Sequence, residues 1–464
     1  MKIRNLFFLL TATALLYLVT VMGSGCAQIG SPTGGFRDSL PPVLLNSNPP
    51  NNTINFKGNR VTLTFDEYVH LDKLQENLLV SPTPKINPNI DYKLKQVTIK
   101  IRDTLQPNTT YSLQLGNSIQ DINENNPYPN FTYVFSTGSY IDSLTLSGNV
   151  ELAETGKTDS TLLVFLYNDL TDSAVYKKKP KYITRVNGEG NFEFKNLAED
   201  TYHVFALKDE SGQKIYSSKT QIFAFADSVI KISKEVAPVK LYAYAEEKEA
   251  PKSASNAVNK KTDKELKFTI SLSNKTQDLL TPLTLQFDRP LQNFDSLKIK
   301  LTDTLFNPVA TALISMDTAH KKITIQNNWI ESADYKLLIE KDFATDTLGT
   351  ALLKSDTLSF KTKREGEYGS IKINFKNLDK FKNPVLQFIL NNEIVNSYPL
   401  TSATFNRKLF NPGEYQLRIL SDDNLNGIWD PGNYDLKKQP EKVYSISQAL
   451  SIKANWENER DVVL

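Results

Sequence analysis

From Pro42 to the C-terminus, apolar and polar residues alternate in short runs broken by Asn, Asp, Pro and Gly. Val61–Phe65, Gln96–Ile101, Tyr111–Leu115 and Phe131–Phe135 are examples. A period of two with turn residues about every 8–12 positions predicts strands of β sandwiches. No sustained helical periodicity follows the first two dozen residues, so the expected class is all-β. The runs also repeat. TLTFD (Thr62–Asp66) returns as TLQFD (Thr284–Asp288), Tyr111 as Tyr335, and Phe135 as Phe360, at spacings of 222, 224 and 225 residues. A second kind of unit repeats as well. FEFKNLAEDTYHVFAL (Phe192–Leu207) parallels FNRKLFNPGEYQLRIL (Phe405–Leu420), with Tyr202 matching Tyr415. The chain therefore reads as an A–B–A–B tandem. Its units are expected at 42–138, 139–245, 265–365 and 366–464, with a linker at 246–264 whose alternating charges and lack of aromatics mark it as solvated.

The N-terminus follows a different pattern. Lys2 and Arg4 precede an apolar run from Leu6 to Met22, closed by Gly23-Ser24-Gly25-Cys26. A basic start, an apolar core and small terminal residues make an export signal; the run also sits near the lower length limit of a membrane span. Small residues directly before a unique cysteine resemble a bacterial lipoprotein signal, although Gly23 stands where Leu is usual. The resemblance implies a signal peptide over 1–25, acylation of Cys26 and a membrane anchor through the N-terminal lipid. Residues 26–41, rich in Gly, Pro and Ser, then read as a tether. Acidic residues, which in some bacterial lipoproteins follow the cysteine to direct surface export, are absent before Asp38. This favours the outer membrane facing the periplasm over surface exposure.

The two units carry resemblances of their own. Unit A combines a Pro-rich entry, a strand ending Phe-Asp, a Thr-Tyr strand and a closing Phe-Ser-Thr. It resembles the bacterial Ig-like domain of surface-layer proteins. Unit B has Leu146-Ser147-Gly148, then Gly190-Asn191-Phe192-Glu193-Phe194-Lys195-Asn196-Leu197 and Tyr202. It resembles the transthyretin-like, carboxypeptidase-regulatory-like sandwich. The second copy departs from it, with Asn406 in place of Glu193 and no Gly before Phe405. These motifs are turn and core residues, which imply fold and not chemistry.

Composition narrows the function. Lys and Arg total 54 against 52 Asp and Glu, a net charge of +2 that gives no general pull toward nucleic acid. One cysteine excludes an intrachain disulfide framework. Tyr (20) and Phe (24) are plentiful while Met and His number only 3 each, a mix that suits pleated surfaces. His70, His203 and His320 fall one to a unit, too few for a histidine metal site or a Ser-His-Asp triad. HExxH, GxSxG and P-loop motifs are absent. Carboxylate-only catalysis, which needs only spatial proximity, stays open from sequence; the reading is nonetheless non-enzymatic.

Asp66 and Asp288 close the same strand in both A copies, where local backbone hydrogen bonding is the expected role and a cation site the other reading. Asp121-Ile122-Asn123-Glu124-Asn125-Asn126 reads as a polar turn, with fewer oxygens in its counterpart at Asp346. The sharpest motif is Asp422-Asp423-Asn424-Leu425-Asn426-Gly427-Ile428-Trp429-Asp430, which fits the D-x-N-x-N-G opening of a calcium loop. Asp422, Asn424 and Asn426 would converge on a hard cation, with the Ile428 carbonyl and Asp430 beside them. Asn433 replaces the closing Glu of an EF-hand, and the segment looks more like loops grafted on surface-adhesin sandwiches. The competing reading is a hydrogen-bonded turn packed under Trp429. No cofactor is required, and calcium is the candidate ion.

Together these features point to an anchored envelope lipoprotein acting as a structural, scaffold or adhesin-like module with an envelope protein or glycan as partner. The alternative is a glycan-binding lipoprotein serving nutrient uptake, for which the scattered Trp329, Trp429 and Trp456 offer little support.

Overall fold

The computed structural model describes residues 10–18, 38–248 and 265–464. Cys26, its flanking small residues and most of the expected linker lie outside them. Residues 10–18 are helical, and no helix among the described residues is long and apolar enough to cross a membrane. The chain divides into two compact units. Met1–Leu79 with Lys85–Ser139 makes the first, and Val80–Pro84 with Tyr140–Leu464 the second.

The first unit holds an antiparallel sheet in the order Leu44–Asn48, Arg60–Phe65, Gln96–Lys100, Asn89–Lys93. Its second layer contains Thr110–Gly116 paired with Phe131–Ser136. Strict alternation explains these strands. Val61, Leu63 and Phe65 turn inward from one, and Val97 and Ile99 from its neighbour, with the residues between them less buried. Tyr111 lies opposite Phe135, and the rings stack at 5.2 Å.

Within the second unit, residues 265–365 repeat that plan. Phe268–Ile270, Leu283–Phe287, Lys322–Gln326 and Leu313–Met316 form one sheet in that order, and Asp334–Ile339 pairs with Asp356–Thr362 in the other. Tyr335 faces Phe360 and stacks on it at 5.9 Å. The residues aligned by sequence spacing thus make the same cross-strand pair in both copies.

The B units share a different seven-strand order. In the first copy, Asn191–Leu197, Leu144–Leu152 and Val239–Ala243 form one layer, the last two strands being parallel. Tyr182–Arg185, Leu163–Tyr167, Thr201–Leu207 and Phe223–Phe225 form the other in that order, and the short Ile230–Lys231 also pairs with Thr201–Leu207. In the second copy the same order returns as Thr404–Phe410, Gly369–Lys376 and Glu457–Val463, facing Glu393–Pro399, Pro384–Leu390, Gly413–Ser421 and Val443–Ile452. Both copies close with the same device. The Tyr202 hydroxyl donates to the Ala198 carbonyl at 3.1 Å, and that of Tyr415 to the Asn411 carbonyl at 3.0 Å. Each buried phenol is satisfied four residues back along the chain, pinning the entry of a core strand. Gly148 explains the glycine of the first copy's motif. A Cβ there would lie 2.1 Å from the Val239 carbonyl oxygen and 2.4 Å from the Phe192 ring. Phe192 covers the space that a side chain would have filled.

Candidate functional site

The histidines do not assemble. His203 stacks on Phe205 and sets Nε2 3.2 Å from the Leu170 carbonyl oxygen, while His320 Nδ1 sits 3.3 Å from that of Leu291. His70 lies on Val69–Leu71 in the first unit. Among the described residues, no group of three or more His, Cys, Asp or Glu side chains is placed to hold a metal ion.

Asp66, Asp121 and Asp346 serve the backbone. Asp66 Oδ1 accepts the Val43 N–H at 2.7 Å, and Asp288 is exposed. Asp121 is buried and accepts N–H bonds from Asn123, Glu124, Asn125 and Asn126 at 2.6–3.1 Å. Burial pushes its carboxyl up, but those four donors outweigh it and hold the group below its usual range. The counterpart with fewer oxygens, Asp346, plays the same role. It takes the N–H groups of Leu348 and Thr350 at 2.9 Å and the Arg289 guanidinium at 3.2 Å. One aspartate suffices in each copy, because the donors it gathers are backbone N–H groups that every sequence except proline supplies.

Asp422, Asn424, Asn426, Ile428 and Asp430 fall in one loop, residues 422–442, between Gly413–Ser421 and Val443–Ile452. Asp422 is buried. Its Oδ1 accepts from the N–H of Leu425 (2.7 Å) and Asn426 (3.3 Å), and its Oδ2 from that of Gly427 (2.7 Å). Gly427, at φ +76°, supplies the left-handed turn. The Asn424 and Asn426 amides both meet Asp430 Oδ2, the latter at 2.9 Å. The Ile428 side chain is exposed. Trp429 donates its indole N–H to the Glu441 carbonyl at 2.8 Å. Glu441, which the motif did not include, is buried and accepts the N–H of Asp423 (2.7 Å) and Asp430 (3.0 Å). Burial, then the charges of Asp430 and Asp422, push the Glu441 carboxyl up despite those two bonds. Oxygens of the type a hard cation takes therefore gather around one turn, and backbone hydrogen bonds already hold that turn.

The far side of the same loop carries what the sequence did not reveal. Tyr434 is 2% exposed and sits among rings of the first B sandwich: Phe225 at 5.2 Å, Phe223 at 5.4 Å, Phe205 at 5.6 Å and Tyr176 at 5.8 Å. Its N–H donates to Glu246 Oε1 at 3.1 Å and its hydroxyl to the Asp172 carbonyl at 3.2 Å. A polar rim surrounds this anchor. Tyr176 donates to Asp435 (2.7 Å), Lys437 to Asp172 (2.8 Å), Gln439 to Asp227 (2.7 Å) and Ser445 to the Thr155 carbonyl (2.6 Å). A buried aromatic knob inside a ring of polar contacts is the anatomy of a specific interface. The expected linker also starts differently. The Glu246 side chain is only 4% exposed and belongs to this seam, in contrast to the solvated start that its charge suggested.

Residues 38–137 match the bacterial Ig-like domain family. No curated protein is significantly similar to the chain. Among solved structures, the major pilin subunit BcpA of Bacillus cereus aligns with 69% of this chain and 99% of its own at 9% identity, with a TM-score of 0.18. The TIE protein of Bacillus anthracis covers 93% of this chain and 75% of its own at 12% identity and TM-score 0.17. The N-terminal part of the S-layer protein SbsC covers 44% of each chain at 15% identity and TM-score 0.16. Scores this low carry no argument about the chain, and the Ig-like match over its first sandwich stands alone.

Proposed function

We propose that the chain is a non-enzymatic envelope protein, anchored by lipid at Cys26 on the outer membrane and facing the periplasm, whose sandwiches serve as a scaffold or adhesin-like binding module. The observation that carries this reading is the unique cysteine placed directly after Gly23-Ser24-Gly25 and ahead of the segment that matches the Ig-like family. The transthyretin-like assignment of 139–245 and 366–464 belongs to the same proposal, supported by their shared strand order and tyrosine bond. The glycan-binding alternative gains little support: of the exposed rings among the described residues, Tyr68, Tyr92, Tyr140 and Trp456 pair with no other ring, and Tyr444 pairs only with the half-buried Phe381. Affinity capture from detergent-solubilised envelope, with the full acylated chain as bait, separates the readings. A reproducible protein partner supports the scaffold, and enrichment of polysaccharide alone supports the alternative.

The loop at Asp422 enters this proposal as a calcium site. Asp422, Asn424, Asn426, the Ile428 carbonyl and Asp430 would hold the ion, which would supply structural rigidity and no chemistry. A rise in melting temperature of the full chain at millimolar calcium, lost in Asp422→Asn, is the expected result. No heat and no rise would end the assignment.

A further inference from the structure

Arg418 is buried at 4% exposure on the strand Gly413–Ser421, with Gln387 and Ser445 beside it on the neighbouring strands. Its Nε donates to Gln387 Oε1 at 2.7 Å, and Nη1 to the backbone carbonyl of Glu154. Nη2 is buried with no partner at all. The guanidinium therefore keeps a full positive charge in the interior with only neutral acceptors, and it forms no ion pair among the described residues. Such an arrangement is unfavourable unless something negative offsets it. The nearby Glu154 carboxylate offsets it only in part: burial still outweighs its charge at the guanidinium, and its ion-pair partner is Lys248 at 3.3 Å.

Arg418 lines a cleft of about 560 Å³. That falls within the roughly 300–1,000 Å³ usual for small-ligand sites. Lys157 and Lys248 also line it, and Lys157 forms no ion pair among the described residues. Ser445, Ser447 and Asn392 add neutral polar groups. Glu154 and Glu393 are the opposing charges, so the cations along the wall outnumber the anions by three to two. We infer that this cleft binds a small oxyanion, a carboxylate or phosphate group on a ligand of about monosaccharide size, with Arg418 and Lys157 as its cationic donors. Nη2 is shut off from solvent, so the anion reaches it by displacing side chains of the cleft wall. The inference does not depend on the lipid anchor or on the calcium loop.

Calorimetric titration of the full chain in detergent tests it, with inorganic phosphate, glucuronate and uncharged glucose as probes. The expected result is one site per chain for at least one anion at about millimolar affinity, and none for glucose. Phosphate alone would assign a phosphate group, and glucuronate alone a carboxylate. Arg418→Gln should weaken binding about tenfold or more. Lys157→Met, at an exposed position whose fold contacts are made by its backbone, should weaken it severalfold with an unchanged melting temperature. No heat with either anion, or full binding by both variants, would overturn the inference.

Discussion

The seam around Tyr434 makes a quantitative prediction. Replacing Tyr434 with Ala removes a ring with 2% exposure from contact with four others, and its hydroxyl bond to Asp172. Truncating a buried aromatic costs about 3–5 kcal/mol. The ring pairs are part of that figure and are not added again. If the seam joins the two B sandwiches into one cooperative body of roughly 200 residues, each kcal/mol moves the transition by about 2–4 °C, so the shift is about 6–20 °C. Differential scanning calorimetry of the full chain reads it. The transition that contains both B sandwiches should fall and split in Tyr434→Ala. Tyr434→Phe, which keeps the ring, should lose only about 1 kcal/mol. Tyr92→Ala, at a half-exposed ring, is the control and should stay within about 0.5 kcal/mol. If Tyr434→Ala matches the Tyr92 control, the rings do not hold the sandwiches together and the argument fails.

Other perturbations probe the fold and its charges. Gly148→Ala forces a methyl against the Val239 carbonyl and the Phe192 ring and should destabilise the first B sandwich by about 1–3 kcal/mol or more in urea unfolding. Tyr202→Phe and Tyr415→Phe should each cost about 0.5–1.5 kcal/mol and by similar amounts, since the two bonds are alike; a large difference would show that the repeat is not energetic. Asp121→Asn tests acid stability. The folded carboxyl titrates below its unfolded value of about 3.9, so its contribution is complete above that pH and is lost as pH falls through the folded value. The variant should therefore be less stable than wild type at pH 7 and converge with it in acid; a gap that persists at low pH would contradict this.

How much of this could be read from the sequence follows from how local each cause is. Strands such as Arg60–Phe65 and Gln96–Lys100 were legible because alternation along one strand decides which face is buried. The Tyr–Phe stacks were legible through the 222–225 residue spacing, because both partners repeat. Asp346 was undervalued because counting side-chain oxygens missed that the backbone supplies the donors. The Tyr434 seam was not legible. Residues 430–441 have no periodic pattern, and the rings that receive Tyr434 lie more than 200 residues earlier, with Phe205 on the face opposite the core residues Val204 and Ala206, where alternation predicts solvent. Arg418 was hidden for a related reason: it alternates onto the face opposite the core residues Leu417 and Ile419, where a charge is expected in solvent, and its burial shows only once its partner Glu154 is known.

The functional account rests most heavily on its anchor, and mass spectrometry of the N-terminal peptide from the purified membrane fraction addresses that directly. The account predicts a chain that begins at Cys26 and carries acyl groups on that residue. A peptide that retains residues 1–25, or an unmodified Cys26 thiol, would contradict it.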